Sequence, residues 1–355
     1  MSWEDKVRKV TPYTPGEQPR RTDIIKLNTN ECPYPPSPKV AEAIAAFDED
    51  RLRLYPDPAA ADLVKALADH YQVDKDQVFV GVGSDDVLAM AFLTYFTAGK
   101  PILFSDVTYS FYDVWAELFG IPYKKCALKD DFSLDASDYL QDNGGIIIAN
   151  PNAPTGLMAD LGMIEKIVLA NQDSVVIVDE AYVDFGGVSA IPLVEKYENL
   201  LVVQTFSKSR AMAGMRIGFA VGSKKLIAYL NDAKFSFNSY TMNHLTIACG
   251  KACVEDDLYF KEITGKIVAT RERVKKEMAE LGFKFPDSMT NFLFVTHPQI
   301  DAEELFLALK EEGIFVRYFK KPRIDQYLRV TIGTDAQMDA LITFLKEYMK
   351  NRSFV

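Results

Sequence analysis

The chain has few of the residues that bind metals or cross-link secreted proteins. Its 355 residues include four cysteines, three histidines and two tryptophans. No CxxC pair occurs, and only Cys249 and Cys253 share helical i,i+4 spacing, so we expect small core side chains and no metal site. A Ser-His-Asp triad has no support, because His70, His244 and His297 are isolated in the sequence.

The chain also lacks a basic tract and an apolar N-terminal secretion segment. Its 40 Lys and Arg against 50 Asp and Glu give a formal net charge of −10, spread along the chain. We therefore expect no nucleic-acid partner and no membrane partner. The scattered cysteines, without a secretion segment, predict a reducing cytoplasm.

The first two thirds of the chain contain short β-branched runs that are separated by helix-compatible segments. They cover residues 78–80, 102–104, 146–148, 175–178 and 200–203. This alternation predicts an α/β fold with a mainly parallel sheet flanked by helices.

The pattern changes near residue 243. A long charged helical segment precedes strand candidates at 291–295, 314–317 and 327–332, which is typical of a separate α+β unit. We predict three parts. A Pro-rich leader at 1–45 adds to the small domain and to the mouth of the site. A large domain follows at 46–242, and a small domain at 243–355.

Polar residues follow several of the β-branched runs, at the strand ends where open parallel sheets bind ligands. The turn 81–86, GVGSDD, has glycines that allow close approach, and the helical amides after it can hold an anion. The alternative is that Ser84 only caps the helix. A dinucleotide site is disfavoured, because Asp86 occupies the third glycine position of that fingerprint.

Asp179 ends a strongly apolar run, and a buried carboxylate needs a cation or strong donors. A protonated pyridine nitrogen would satisfy it, and Tyr182 could reach the phenolic oxygen of the same ring. Capping of the next helix is the alternative for Asp179. Tyr109 could stack on a flat ring or simply pack, and Asn152 offers a carboxamide to a ligand oxygen.

Lys208 follows the run 200–203 and stands among hydroxyl side chains. An amine condenses with an aldehyde only when it is unprotonated, so such a lysine needs an enclosed site. Ser207 and Arg216 could bind a phosphate beside it. The segment alone is typical of a solvated loop. Together with a carboxylate, an amide and a stacking ring, it matches the needs of pyridoxal phosphate.

With these motifs the chain resembles the fold-type I pyridoxal-phosphate aminotransferases, and within them the histidinol-phosphate aminotransferase family, from about residue 27 to 334. Two further marks are the segments 27–34, LNTNECPY, and 327–334, YLRVTIGT. The resemblance implies a large domain that binds pyridoxal 5'-phosphate and a smaller α+β domain. It also implies amino transfer between L-histidinol phosphate and 2-oxoglutarate, in histidine biosynthesis.

The resemblance assigns roles around the cofactor. It implies that Lys208 forms the covalent imine with the cofactor and that Asp179 pairs with the pyridine nitrogen. Tyr182 and Asn152 would reach the phenolic oxygen, and Tyr109 would stack on the ring. In a homodimer with shared sites, the cofactor phosphate would be held by Ser84, Asp85, Ser207, Arg216 and, from the other subunit, Tyr55.

Substrate contacts follow from the same resemblance and from charge. Arg329 lies inside a β run, where an arginine is costly unless it meets an anion, so we expect it to grip substrate anions. Several basic residues stand just before the strand that carries Arg329, and from these we select Arg323 for the substrate phosphate. Asn30 and Tyr34 in the leader complete the predicted substrate contacts.

Two places depart from the family pattern. Ala153 stands where the family has Asn before Pro-Thr-Gly, so the bond to the phenolic oxygen is expected from Asn152 or shared with Tyr182. Residues 32–35, CPYP, replace Asn-Pro-Tyr-Gly at the mouth. The alternatives are an aromatic amino-acid aminotransferase, a decarboxylase of a phosphorylated amino acid, and a non-catalytic pyridoxal-phosphate sensor, which would carry a DNA-binding module that we do not expect here.

Overall fold

The structure is a computed structural model that describes residues 2–19 and 23–352. Its strands are β1 (Ile25–Lys26), β2 (Val78–Gly81), β3 (Ile102–Ser105), β4 (Tyr123–Cys126), β5 (Ile146–Ala149), β6 (Val176–Asp179), β7 (Leu200–Thr205), β8 (Gly218–Gly222), β9 (Phe292–Val295), β10 (Ile314–Phe315), β11 (Arg317–Tyr318) and β12 (Leu328–Thr331). Its α-helices are α1 (Pro38–Ala45), α2 (Ala61–Tyr71), α3 (Ser84–Tyr95), α4 (Tyr112–Phe119), α5 (Leu161–Ala170), α6 (Lys224–Phe237), α7 (His244–Val254), α8 (Asp257–Glu280), α9 (Ala302–Glu311) and α10 (Asp335–Lys350).

Seven strands form the main sheet, in the order β2-β8-β7-β6-β5-β3-β4. All neighbouring pairs are parallel except those of β8, which is antiparallel to β2 and β7. Successive residues of a strand face opposite sides of the sheet. Val176 and Val178 therefore pack in one core with α2, α5 and α7, and Ile177 packs in a second core with α3, α4 and α6. This confirms the predicted α/β class.

Each strand predicted for the main sheet is present, but β4 and β8 were not predicted. β4 lies at the sheet edge and carries the exposed residues Lys124 and Lys125, so no apolar run marks it. β8 is bounded by glycines, which weaken the strand signal. A side chain at Gly218 would collide with the backbone of Gly83 and Ser84, so glycine is required where β8 meets the turn before α3.

The remaining strands form two small sheets. β11, β12 and β9 make an antiparallel sheet in that order, and the leader strand β1 pairs in parallel with β10. Helices α8, α9 and α10 pack a third core against them. Helix α7 instead places Cys249 and Cys253 in a core of the main sheet. The division of the chain at 45/46 and 242/243 stays a prediction.

Helix α8 shows how local sequence sets an element. The side chain of Asp256 accepts a hydrogen bond from the backbone N–H of Tyr259 and caps the helix start. The helix therefore begins at Asp257, within the part of the chain where the sequence predicts a long charged helix. In the ranges that the structure describes, neither α8 nor any other helix is both long and apolar enough to cross a bilayer.

Arg271 on α8 is buried and joins α8 to the turn after β6. Its Nη1 donates to the carbonyl oxygens of Phe185, at 2.8 Å, and Thr290, at 2.9 Å. We expect Arg271→Ala to lower the free energy of unfolding by about 2–4 kcal/mol, because it leaves two buried acceptors unpaired. Urea denaturation followed by circular dichroism measures the loss.

The matched control is Arg273→Ala on the same helix. Arg273 pairs with Glu277, Asp335 and Asp339 at a partly exposed surface, so we expect a loss below about 1 kcal/mol. Equal losses for the two variants would contradict the role of Arg271.

Candidate active site

Two cavities open at the carboxyl ends of the parallel strands. The inner cavity has a volume of about 180 Å³, and the outer cavity has a volume of about 470 Å³. Five residues line both, so the two spaces meet at Thr29, Tyr109, Ala153, Tyr182 and Lys208.

Lys208 stands at the junction of the two cavities, in the loop that follows β7. Its Nζ donates to the carbonyl oxygen of Thr29 at 3.1 Å and lies 5.9 Å from the ring centroid of Tyr182. The loop is closed by a hydrogen bond from the backbone N–H of Met212 to the carbonyl of Phe206. A primary amine is therefore presented to both spaces.

Asp179 ends β6 and lines the inner cavity. Its carboxylate accepts hydrogen bonds from the hydroxyl of Tyr112 at 2.7 Å and from the backbone N–H of Ala181 at 3.2 Å. Burial raises the pKa of Asp179 to about 6, although the bond from Tyr112 acts in the opposite direction. No lysine or arginine in the described ranges forms an ion pair with it. A cationic ligand group would satisfy this carboxylate.

The turn before α3 forms an anion site at another part of the inner cavity. Gly83 has a φ of +84° and occupies the N-cap position, where it offers no side-chain cap to the amides of α3. A side chain at Gly83 would collide with the guanidinium of Arg216, so this cation lies directly over the helix start. Ser84, Asp85 and Ser207 line the same cavity. Helix amides and a guanidinium together suit a phosphate.

The carboxylates of this turn are directed to other partners. Asp86 accepts a hydrogen bond from the backbone N–H of Val82. Asp85 accepts one from the hydroxyl of Tyr109 at 2.9 Å and lies 3.4 Å from Nη2 of Arg216. Tyr109 is thus held in place at the boundary of both cavities.

Arg329 on β12 brings a second cation to the outer cavity. Its Nη2 donates to the carbonyl oxygen of Asn28 at 2.9 Å, and its buried Nε has no partner in the described ranges. Phe292 and Phe319 lie near the guanidinium, 5.4 and 5.6 Å from the ring centroids. Burial lowers the pKa of Arg329, so a bound anion would relieve the cost of this charge.

Several predicted residues lie outside both cavities. The amide of Asn152 donates to the carbonyl oxygen of Val107 and to Thr155 Oγ1, both at 2.9 Å. Tyr34 lies beneath the ammonium group of Lys266. The predicted cofactor contact of Asn152 and the predicted substrate contact of Tyr34 stay predictions.

Arg323 also lies outside both cavities, and its predicted contact with the substrate phosphate stays a prediction. Its guanidinium pairs with Asp106 and donates to the carbonyl oxygens of Leu128 and Lys129, so it is fully engaged away from the cavities. Tyr55 is 80% exposed and packs against Tyr240, with ring centroids 4.7 Å apart. Its predicted role belongs to another subunit and stays a prediction.

The sequence reasoning missed two residues that line the outer cavity, Arg317 and Tyr13. Arg317 pairs in register with Arg329 across β11 and β12, so strand alternation places both on one face. This register is visible only in the structure, so no sequence signal identified Arg317. Tyr13 stacks on Phe111 with ring centroids 4.2 Å apart, and no periodic pattern in the leader predicts this contact.

Comparison with known proteins agrees with this geometry. The family model for aminotransferase class I and II matches residues 22–345. A histidinol-phosphate aminotransferase of Lactococcus lactis subsp. cremoris is 54% identical over 352 residues, covering 99% of each chain. One from Brachyspira hyodysenteriae is 51% identical and covers 98% of each.

A solved structure gives the same result for the fold. The histidinol-phosphate aminotransferase of Sinorhizobium meliloti, determined in complex with pyridoxal-5'-phosphate, aligns with a TM-score of 0.84 at 25% identity, covering 93% of this chain and 92% of that one. These findings confirm the resemblance that the motifs indicated. The chain belongs to the class I and II aminotransferases and, within them, to the histidinol-phosphate aminotransferase family.

Proposed function

We propose that the chain is a pyridoxal-phosphate-dependent aminotransferase that moves an amino group between L-histidinol phosphate and 2-oxoglutarate, in histidine biosynthesis. The observation that carries this proposal is the content of the inner cavity, where Lys208, Asp179 and Arg216 meet. An amine, a carboxylate without a cation and an anion site are complementary to the aldehyde, the ring nitrogen and the phosphate of that cofactor.

The residues of the inner cavity would hold the cofactor by these groups. Asp179, oriented by Tyr112, would keep the ring nitrogen protonated, and Tyr109 would cover one face of the ring. The start of α3 and Arg216 would bind the phosphate, together with Ser207. When bound, the cofactor supplies an electron sink for the carbanion that forms on the substrate carbon.

Lys208 has two tasks in this proposal. Its Nζ would hold the cofactor covalently in the resting enzyme, and after release it would carry a proton as general acid and base. Because Lys208 lines both cavities, the same nitrogen can serve the cofactor and a substrate in the outer space. Tyr182 would donate a hydrogen bond to the phenolic oxygen.

The outer cavity supports a phosphorylated or dicarboxylic substrate. Arg317 and Arg329 face it from neighbouring strands, and paired guanidinium groups bind phosphate or carboxylate in the same way. This explains how one site could serve histidinol phosphate and glutamate in turn. The stacked rings of Tyr13 and Phe111 at the cavity favour a flat side chain, so aromatic amino-acid transfer is the second candidate.

A substrate panel tests the proposed function directly. Purified enzyme with pyridoxal phosphate is mixed with histidinol phosphate, glutamate or phenylalanine, and conversion of the cofactor to its aminated form is followed by absorbance. We expect the highest kcat/KM for histidinol phosphate, because its phosphate meets both arginines. Preference for phenylalanine would favour the second candidate.

The control for this panel is Lys208→Ala, which should retain the cofactor but lose its covalent attachment and turnover. Borohydride reduction and peptide mapping should mark position 208 in the wild type alone. Normal turnover of the variant would contradict the mechanism.

Asp179→Asn should change how the stability of the cofactor-free protein depends on pH. Burial holds the native pKa of Asp179 at about 6, whereas the unfolded chain loses this proton near about pH 4. The native state binds more protons in this window, so wild-type stability falls relative to the variant as pH rises from about 4 to about 6. We expect a relative change of roughly 2–3 kcal/mol.

Urea midpoints of both proteins across that pH window measure the effect. Saturating pyridoxal phosphate should remove the fall in the wild type, because the ring cation would keep Asp179 ionised. A difference between the two proteins that is independent of pH would show that Asp179 is not the titrating group.

We also propose a homodimer with shared sites. Exposed apolar side chains cluster around the segment that carries Tyr55, and a contiguous patch of this kind is typical of an interface. The segment rests on the end of α6, because Nζ of Lys234 donates to the carbonyl oxygen of Pro58 at 3.0 Å. The exposed apolar residues are Leu52, Leu54, Tyr55, Phe237 and Tyr240.

Charge on this patch should separate the subunits. We expect Leu52→Glu with Leu54→Glu to shift the protein from dimer to monomer in sedimentation velocity and to weaken phosphate-dependent cofactor binding. The control is Leu307→Glu on α9, which is 57% exposed and outside the patch. A dimer that persists in the double variant would exclude this surface.

The proposed location is the cytoplasm. The cysteines are free thiols, and burial raises the pKa of Cys32 and Cys126 to about 11. Such thiols remain protonated and unreactive, which suits a reducing compartment.

A further inference from the structure

The loop before Pro154 carries no amide that reaches the cofactor site. Ala153 lines both cavities, and a methyl group cannot donate a hydrogen bond. The neighbouring Asn152 uses its amide group on Val107 and Thr155, and its Oδ1 accepts from Thr108 Oγ1 at 2.8 Å. Within the proposed function, the donor to the phenolic oxygen of the cofactor must therefore come from another side chain.

Tyr182 is the phenol that lines both cavities. A phenolic oxygen can accept one hydrogen bond while its own proton is donated elsewhere. Nδ2 of Asn30 donates to the hydroxyl of Tyr182 at 2.8 Å, and both side chains are buried. Within the described ranges the hydroxyl of Tyr182 donates no hydrogen bond, so its proton is available to a ligand in the cavity.

The orientation of the Asn30 amide is fixed by Thr331. The hydroxyl of Thr331 accepts the backbone N–H of Asn30 at 3.0 Å and donates to Oδ1 of Asn30 at 3.1 Å. In this arrangement Oδ1 is the acceptor end of the amide and Nδ2 faces Tyr182. The carbonyl oxygen of Asn30 also accepts from Asn291 Nδ2 at 3.0 Å.

The backbone of position 30 narrows the choice of residue further. Asn30 has a φ of +55°, in the left-handed region. Asparagine tolerates this conformation better than most residues with a Cβ. The position thus combines a strained backbone with an amide whose two ends have different, fixed partners.

We infer that Asn30 is a positioning residue that makes Tyr182 a hydrogen-bond donor toward the cofactor, and that it thereby replaces the amide missing at Ala153. The inference rests on the proposed function. Its physical effect is electrostatic: a donor to the phenolic oxygen stabilises the form in which that oxygen carries a full negative charge. The cofactor linked to Lys208 then loses its shared proton at lower pH.

The test is the pH titration of the visible absorbance of the bound cofactor in purified holoenzyme. Asn30→Ala should raise the titration midpoint, since the hydroxyl of Tyr182 loses the bond that orients it and donates a weaker bond to the charged oxygen. Asn30→Asp, which has nearly the same shape, should raise it further, because a carboxylate accepts the proton of Tyr182. kcat should fall more than KM changes.

Two double variants distinguish positioning from general damage. Ala153→Asn in the Asn30→Ala background should return the midpoint toward the wild-type value, because it restores a direct donor. Asn30→Ala added to Tyr182→Phe should shift the midpoint no further, because both act through one hydroxyl.

The inference is overturned if Asn30→Ala and Asn30→Asp keep the wild-type midpoint, or if the shifts of Asn30→Ala and Tyr182→Phe add. A wild-type protein without a titrating visible band would overturn the proposed function as well. A titrating band that is insensitive to both Asn30 variants would remove this inference alone.

Discussion

The constraint on which the proposed site depends is the buried carboxylate of Asp179, which forms no ion pair with any lysine or arginine that the structure describes. Asp179 ends a strand that is buried on both faces, and its register opposite Val203 places it beside β7, whose continuation leads to Lys208. Burying a charge in such surroundings is costly, and the bonds from Tyr112 and Ala181 compensate only in part, since the pKa remains raised. A ligand that brings a positive ring nitrogen would remove this cost. The sheet therefore supplies a preorganised field before any cofactor binds, because β6 is paired on both sides, with β5 and with β7.

The outer cavity applies the same principle with the opposite sign. Among the residues that the structure describes, the buried Nε of Arg329 has no partner, and the carbonyl oxygen of Asn28 is a weaker partner than a carboxylate would be. Within the same residues, two charges of opposite sign without an ion pair thus line adjoining spaces, Asp179 in the inner cavity and Arg329 in the outer one. Each is available to a complementary group, and the proposed cofactor and substrate carry those groups.

The sequence was sufficient for five of the seven strands of the main sheet and for the residues at the ends of those strands. Parallel strands bring their carboxyl ends to one edge, so the order of residues along the chain was enough to predict that Asp179 and Lys208 would lie close together. The resemblance supplied Arg329. Arg317 could not be identified in this way, because its place beside Arg329 depends on the register of β11 against β12. Tyr13 was missed for a similar reason: it is held only by tertiary contacts of an aperiodic leader.

Strand β12 connects the two halves of the proposed chemistry. Arg329 and Thr331 are two residues apart, so they point to the same side of the strand. Arg329 faces the outer cavity. Thr331 donates a hydrogen bond to Asn30, which in turn donates one to Tyr182. The distance between the guanidinium of Arg329 and the hydrogen bond of Tyr182 is therefore set by the backbone of β12. A shift of β12 along β9 would displace both together, whereas a side-chain change at either residue alters one of them. The antiparallel pairing of β12 with β9 over four residues resists such a shift. The short strand therefore keeps a fixed distance between the proposed substrate contact at Arg329 and the proposed cofactor contact at Tyr182.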